Sequence, residues 1–190
     1  PARFAEYVQP RWDEIIRARP DASVGYAYRG SARVRRGETE AGVADLRAAL
    51  ERCPEDAPSL VNLGVALIDL GREAEARPYF DRAIGVDPLL ATAFYYRGYV
   101  ALGERQTDGA LADFRRAIEL DPGMTEAQRA AASILARAGQ LPAAAAVLED
   151  AVLWEPLSAP AWAELGQVYA AMGDTVRARR AQARGEELSR

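Results

Sequence analysis

APSLVNLGVALIDLGREAEARPYFDRAIGVDPLL, residues 57–90, decides how the whole chain folds. Leu60, Leu63 and Leu67 fall on one stripe of a helix with 3.6 residues per turn. Gly71 comes four residues after the stripe ends, where a left-handed helix cap is expected. A second stripe, Ala76, Phe80 and Ala83, belongs to a second helix. Pro88 disfavours helical geometry at the residue before it and so closes that helix. The stretch reads as helix, tight turn, helix, turn. Such a hairpin needs neighbours of its own kind to cover its apolar faces.

The neighbours are in the sequence. Pro20, Pro54, Pro88, Pro122 and Pro156 recur at a spacing of 34 residues with no insertion or deletion, so the search for repeats comes before any other reading. Counting units from Ser23, Ala57, Ala91, Thr125 and Ala159, the eighth residue is Gly30, Gly64, Gly98, Ala132 and Gly166. The twentieth is Gly42, Ala76, Ala110, Ala144 and Ala178. Small residues at these two places let paired helices approach closely, and a larger side chain would force them apart. The twenty-fourth is large in Leu46, Phe80, Phe114 and Leu148, and the fourth is large in Tyr26, Leu60, Phe94 and Trp162, with Gln128 as the exception. Gly37, Gly71, Gly139 and Gly173 mark the first helix ends. The third unit has Gly103 two residues early, which predicts an altered turn around Gly103–Thr107.

This pattern resembles the tetratricopeptide repeat family over Ser23–Arg190, most fully in 57–90. The resemblance implies an all-α, right-handed superhelical solenoid of stacked antiparallel helix pairs. Its units are 23–56, 57–90, 91–124, 125–158 and 159–190 of a single array. The fourth and last units are the poorest matches (Gln128, Ala131; Gln182, Gly185), and the first places Arg29 and Arg33 where apolar residues are usual. Residues 1–22 read as part of an earlier repeat: Val8, Trp12 and Ile15 occupy second-helix core places, and Pro10 falls where Pro78 falls in the second unit. Phe4–Ala18 is then the second helix of a repeat whose first helix is missing, either because the chain is a piece of a longer array or because this helix is a cap. At the other end Val176–Leu188 is polar enough to be a capping helix near a natural terminus. Arg177, Arg180 and Arg184 share one face of it, as an anion patch or, on the plainer reading, as a solvated cap.

Composition excludes much chemistry. The chain has 190 residues, 49% of them hydrophobic and 27% charged, and a net charge of −4. That is the balance of a folded domain and a poor match to a polyanion, so nucleic acid is not an expected partner. No apolar run approaches the roughly 20 residues of a membrane helix, and no membrane insertion is expected. All 24 basic residues are arginine and histidine is absent. Lysine-dependent phosphate loops and Schiff bases are therefore excluded, as are histidine general bases and histidine metal sites. Cys53 is the sole cysteine, with no histidine to activate it, and reads as a small residue at a helix end. The expectation is a chain with no catalytic residues, no cofactor and no metal. The lack of lysine fits the coding bias of a GC-rich, bacterial genome. The compartment stays open, with the cytoplasm as the default.

The resemblance implies that first helices line a concave groove through the second, fifth, sixth, ninth and twelfth residues of each unit. On that map the expected peptide-binding residues are Tyr28, Val61, Asn62, Val65, Ile68, Tyr95, Tyr96, Tyr99 and Arg129. Tyrosine joins a large apolar body to a polar tip and suits recognition, although each ring could equally pack between repeats. Arg129 could clamp a carboxylate or form an ion pair between repeats, with Glu126 and Glu164 further along. Repeats of the family that clamp a chaperone's C-terminal carboxylate carry basic residues and asparagines at set places. Asn62 matches one of them, while Ala27, Ser31, Thr92 and Tyr96 do not, which disfavours that specificity. The expected function is a protein–protein interaction scaffold holding a peptide or partner protein in the groove. The alternative is a self-associating assembly module of a larger protein, forming homo-oligomers through the ends of the stack.

Overall fold

A computed structural model describes residues 12–189, and among them every regular element is α-helical. Helix α1 covers 12–18. It is followed by α2 (Ser23–Arg35), α3 (Thr39–Arg52), α4 (Ala57–Asp69), α5 (Glu73–Val86), α6 (Ala91–Gly103), α7 (Thr107–Leu120), α8 (Thr125–Arg137), α9 (Leu141–Trp154), α10 (Ala159–Ala171) and α11 (Thr175–Leu188). The expected Phe4, Val8 and Pro10 lie outside the described residues. No described helix is long and apolar enough to cross a membrane. The chain divides into two compact units, one ending at Val100 and the other starting at Ala101.

The turns inside the hairpins repeat one hydrogen-bonding scheme. After α4, the Gly71 N–H donates to the Ile68 carbonyl at 2.8 Å and the Arg72 N–H to the Leu67 carbonyl at 2.8 Å. This double bond closes a helix through one left-handed residue, which glycine adopts without a Cβ penalty. The scheme recurs after α2, α8 and α10, where Gly37, Gly139 and Gly173 have φ of 82°, 75° and 80°. The third unit departs from the sequence expectation. Its turn is not altered: the Arg105 N–H donates to Leu102 at 3.1 Å and the Gln106 N–H to Ala101 at 2.8 Å, and Arg105 itself takes φ of 63°. The backbone bonds dictate the turn, and an arginine is forced into the glycine conformation. A left-handed non-glycine residue costs about 1–2 kcal/mol, partly offset by glycine's greater unfolded-state entropy. Arg105→Gly is therefore expected to stabilise the chain by about 0.5–1 kcal/mol. A urea unfolding curve checks it, and an unchanged midpoint would count against strain at Arg105.

The second-helix ends use the prolines differently. Comb proline carbonyls accept side-chain hydrogen bonds: Pro20 from Arg52 at 2.7 Å, Pro54 from Arg82 at 2.9 Å, Pro122 from Gln128 at 3.1 Å and Pro156 from Trp162 at 2.9 Å. This explains the polar exception at the fourth place of the fourth unit. Gln128 is 2% exposed, and its Nε2 reaches the preceding turn much as the indole of Trp162 does one unit later.

The first unit is built around the stretch that opens the sequence reading. Leu60, Leu63 and Leu67 are fully buried, each contributing about 1.5–3 kcal/mol of transfer free energy. Phe80 fills the space between α4 and α5, stacked on Tyr96 with centroids 5.8 Å apart. A Cβ at Gly64 would stand 2.5 Å from that ring, which is why the eighth place is small. Where α2 meets α3, a Cβ at Gly42 would stand 2.8 Å from the Gly30 carbonyl oxygen.

The arginines that depart from the pattern are half-buried and share a buried partner. The Asp45 carboxylate, on a residue 5% exposed, accepts from Arg29 Nε at 2.8 Å, Arg29 Nη2 at 2.6 Å and Arg33 Nη1 at 2.7 Å. Arg29 Nη1 also reaches Asp13 at 2.5 Å. The hydrogen bonds to Asp45 hold the Arg29 guanidinium well above its ordinary pKa. Arg29 and Arg33, which take places where apolar residues are usual, are thus held by one buried carboxylate.

The second unit has its own core, in which Leu135, Leu148, Leu165 and Tyr169 are buried with Ala144, Ala151 and Ala178. Its last helix is capped by Asp174, which accepts from the Arg177 N–H at 3.0 Å. That bond, and the Arg177 guanidinium at 2.6 Å, hold the Asp174 carboxyl below the usual carboxylate range.

Candidate functional site

The leading helices α2 and α4 touch each other in the first unit, as α8 and α10 do in the second. In each unit a polar bond ties the pair. Asn62 Nδ2 donates to Ser31 Oγ at 3.1 Å between α4 and α2. Arg129 donates from Nε and Nη2 to both oxygens of Glu164, at 2.5–3.1 Å, between α8 and α10. Of the two readings of Arg129, the ion pair between repeats is the one present. Bidentate geometry occupies the fork that a ligand carboxylate would need.

The remaining expected groove residues lie in the first unit. Tyr28 on α2 is 54% exposed and stacks on Trp12 with ring centroids 4.8 Å apart. Asn62 is exposed beside it on α4. Tyr99 on α6 is 50% exposed. Val65 and Ile68 are half-buried and rest on the core. Val61 is a correction: it is 6% exposed and belongs to the core cluster. It is only about 100° round the helix from Leu60, so the same neighbours cover both. Tyr96 is partly a core residue too, since it lies on Phe80, and Tyr95 meets it edge to face at 5.0 Å. The tyrosines on α6 therefore divide. Tyr99 presents its ring to solvent, whereas Tyr96 serves packing.

A pocket of about 280 Å³ opens between α2 and α4. Val24, Ala27, Tyr28, Pro58 and Asn62 line it together with Ser23, Ser31, Cys53, Asp56 and Ser59. Tyr28 and Asn62 were expected on this face. Asp56 and Cys53 were not, because they sit in the turn before α4 and outside the five groove places of the repeat map. Their signal in the sequence is only that the turn carries polar residues.

Two of the arginines on the C-terminal helix have carboxylate partners. Arg177 pairs with Asp174 and lies over the Tyr169 ring at 4.4 Å, and Arg184 pairs with Glu187 at 2.8 Å. Tyr169 donates to Glu149, and burial, reinforced by that carboxylate, raises the phenol above its ordinary pKa. Two of the three arginines singled out in the sequence therefore already have carboxylate partners.

A sequence profile described as tetratricopeptide repeat matches residues 28–91 and 61–125, and a second profile of the same description matches 101–165. No curated protein matches the chain. Solved structures do. PilW, described as a type IV pilus biogenesis factor, is 21% identical with a TM-score of 0.83, over 96% of this chain and 84% of that one. YrrB, described as a TPR protein with an unusual peptide-binding site, is 22% identical with a TM-score of 0.73, over 93% and 91%. MamA from Desulfovibrio magneticus is 23% identical with a TM-score of 0.75, over 88% and 94%. At these identities the likeness is one of fold.

Proposed function

The chain belongs to the tetratricopeptide repeat family, and from that membership we propose that it is a protein-interaction scaffold that holds an extended peptide across α2, α4 and α6 of its first unit. One observation carries the reading. Tyr28 and Tyr99, on leading helices, keep about half of their surface in solvent, while large residues at the core places are sealed. Exposed tyrosines next to an asparagine and the half-buried edges of Val65 and Ile68 offer apolar area with polar tips, the composition that favours partner recognition. The description of YrrB as peptide-binding supports a peptide as the partner class. No catalytic step is assigned to any residue.

Because Tyr96 supports Phe80, a variant that removes Tyr95, Tyr96 and Tyr99 together mixes recognition with stability. The cleaner test is Tyr28→Ala with Tyr99→Ala. Peptides selected from a random linear library on the full chain are expected to lose at least about tenfold in affinity, or about 1.4 kcal/mol, while the chain stays folded with only the small loss of stability, about 0.5–1.5 kcal/mol, that unstacking Tyr28 from Trp12 brings. Undiminished binding by the double variant refutes the site.

A further inference from the structure

The twenty-third place of the repeat is Asp45, Tyr79, Asp113, Val147 and Ala181. Its side chain lies over the seventh and eleventh places of the same hairpin, as Asp45 does when it accepts from Arg29 and Arg33. Tyr79 and Val147 are partly buried and pack on the cores of their units. Ala181 ends at Cβ and cannot reach so far. The space it leaves, over Leu165 and Tyr169 in the seventh and eleventh places, is a pocket of about 240 Å³ among α9, α10 and α11. Val152 and Trp162 complete its apolar walls, and the Trp162 ring is fixed by its bond to the Pro156 carbonyl at 2.9 Å. A dry apolar cavity of about 150 Å³ already holds a benzene-sized group, so the space suits one large apolar side chain.

The charges at the rim are unequally committed. Glu149 accepts from the Tyr169 hydroxyl and lies 3.7 Å from Arg177. Arg177 is further paired with Asp174 and lies over the Tyr169 ring. Arg180 also lines the pocket and has no carboxylate partner among the described residues. The uncommitted charge beside the apolar walls is therefore positive, and it complements a carboxylate, which a guanidinium can hold by two parallel hydrogen bonds. Leu153 follows Val152 on α9, one helical turn beyond Glu149, and is 75% exposed. It carries the apolar surface past the pocket, further than a single small molecule would cover.

We propose that this pocket is a docking site for an acidic segment of a partner protein. The segment seats one leucine- or phenylalanine-sized side chain on Val152, Trp162 and Leu165 and sets a neighbouring carboxylate on Arg180. The anchor takes the space that the repeat's own twenty-third side chain fills elsewhere. The site shares no residue with the surface on α2, α4 and α6, so the two readings fail separately.

The test selects peptides from a random linear library on the full chain carrying Tyr28→Ala and Tyr99→Ala, which removes the other surface. The enriched peptides are expected to place a leucine or phenylalanine beside an aspartate or glutamate. Arg180→Glu, a change on an exposed side chain, is expected to weaken their binding at least about tenfold. Replacing the peptide's carboxylate by the amide is expected to weaken binding to Arg180 but not to an Arg180→Gln chain. Ala181→Leu fills the pocket and is expected to abolish binding while the helical circular dichroism is kept. Should that variant not fold, the Trp162 indole proton of the original chain reads the same point: it is expected to shift on addition of peptide while that of Trp12 stays. Selection of basic peptides or of none, binding that tolerates Arg180→Glu, or a Trp162 signal that does not move overturns the site. Equally tight binding of 3-phenylpropionate would assign the pocket to a small apolar acid and overturn the partner segment.

Discussion

Asp45→Ala is expected to cost about 2–3 kcal/mol of stability, less than removing one partner of a fully buried ion pair, because the two arginines left behind are half-buried. The size follows from what stays behind. Arg29 and Arg33 have side chains only 17% and 26% exposed, and Asp45 supplies Arg29 with two hydrogen bonds and Arg33 with one. Asp13 can hold only one edge of Arg29. The Arg33 Nε is already buried without a partner, so loss of Asp45 leaves that guanidinium with no carboxylate partner among the described residues. Arg29 cannot shed its charge, since its hydrogen bonds to Asp45 hold it above an already high pKa. The damage should concentrate in α2 and α3, because repeat arrays are coupled only through neighbouring interfaces. Hydrogen exchange should therefore accelerate there first, before the global urea midpoint reports it. A second variant separates charge from packing. Arg29→Met, Arg33→Leu and Asp45→Leu together should come within about 1 kcal/mol of the native chain or exceed it, because well-packed apolar residues often replace a buried ion network without loss. A single Asp45→Ala variant as stable as the native chain would refute the buried network.

Phe80→Ala is the second large effect, about 3–5 kcal/mol for emptying a fully buried aromatic site. The ring is 0% exposed and sits between Gly64 and Tyr96, so the surrounding helices cannot close the gap without losing the α4–α5 crossing. The informative partner is Gly64→Ala. In the native chain its Cβ would stand 2.5 Å from two ring atoms of Phe80, and overpacking of that kind costs about 1–3 kcal/mol. In the Phe80→Ala background the obstruction is gone. Alanine should then stabilise, by up to about 1 kcal/mol, through its better helix propensity. The sign change is read from denaturant unfolding of the four proteins of the double-mutant cycle. Additive effects would mean that the eighth place is small for some reason other than that ring.

Some features were legible in the residues and others were not, and individual positions show why. Leu60, Leu63 and Leu67 announce their burial, because a helix places i, i+3 and i+7 on one side wherever it lies. Gly37, Gly71, Gly139 and Gly173 announce their caps because glycine is the ordinary occupant of a left-handed position. Arg105 hides the same cap, since a backbone hydrogen-bonding scheme can impose a conformation that the side chain does not advertise. Asp45 gave no signal on its own. It reads as a surface charge until α2 brings two arginines onto it. Val61 and Tyr96 look like groove residues by count but are covered by their neighbours, whereas Tyr28 and Tyr99 occupy comparable places and stay open.

The recurrence of small, large and proline residues every 34 positions was enough by itself to determine the helical hairpins, their lengths and most of their core. Those features come from forces that act within a few turns of one helix or across one tight turn. The roles of the polar side chains were decided only in three dimensions. Arg129 meets Glu164 across 35 residues, Arg29 meets Asp45 across 16, and Asp56 shares a pocket with Tyr28. Charge and hydrogen-bond partners depend on angstrom-scale distances between helices, and spacing along the chain does not encode those distances.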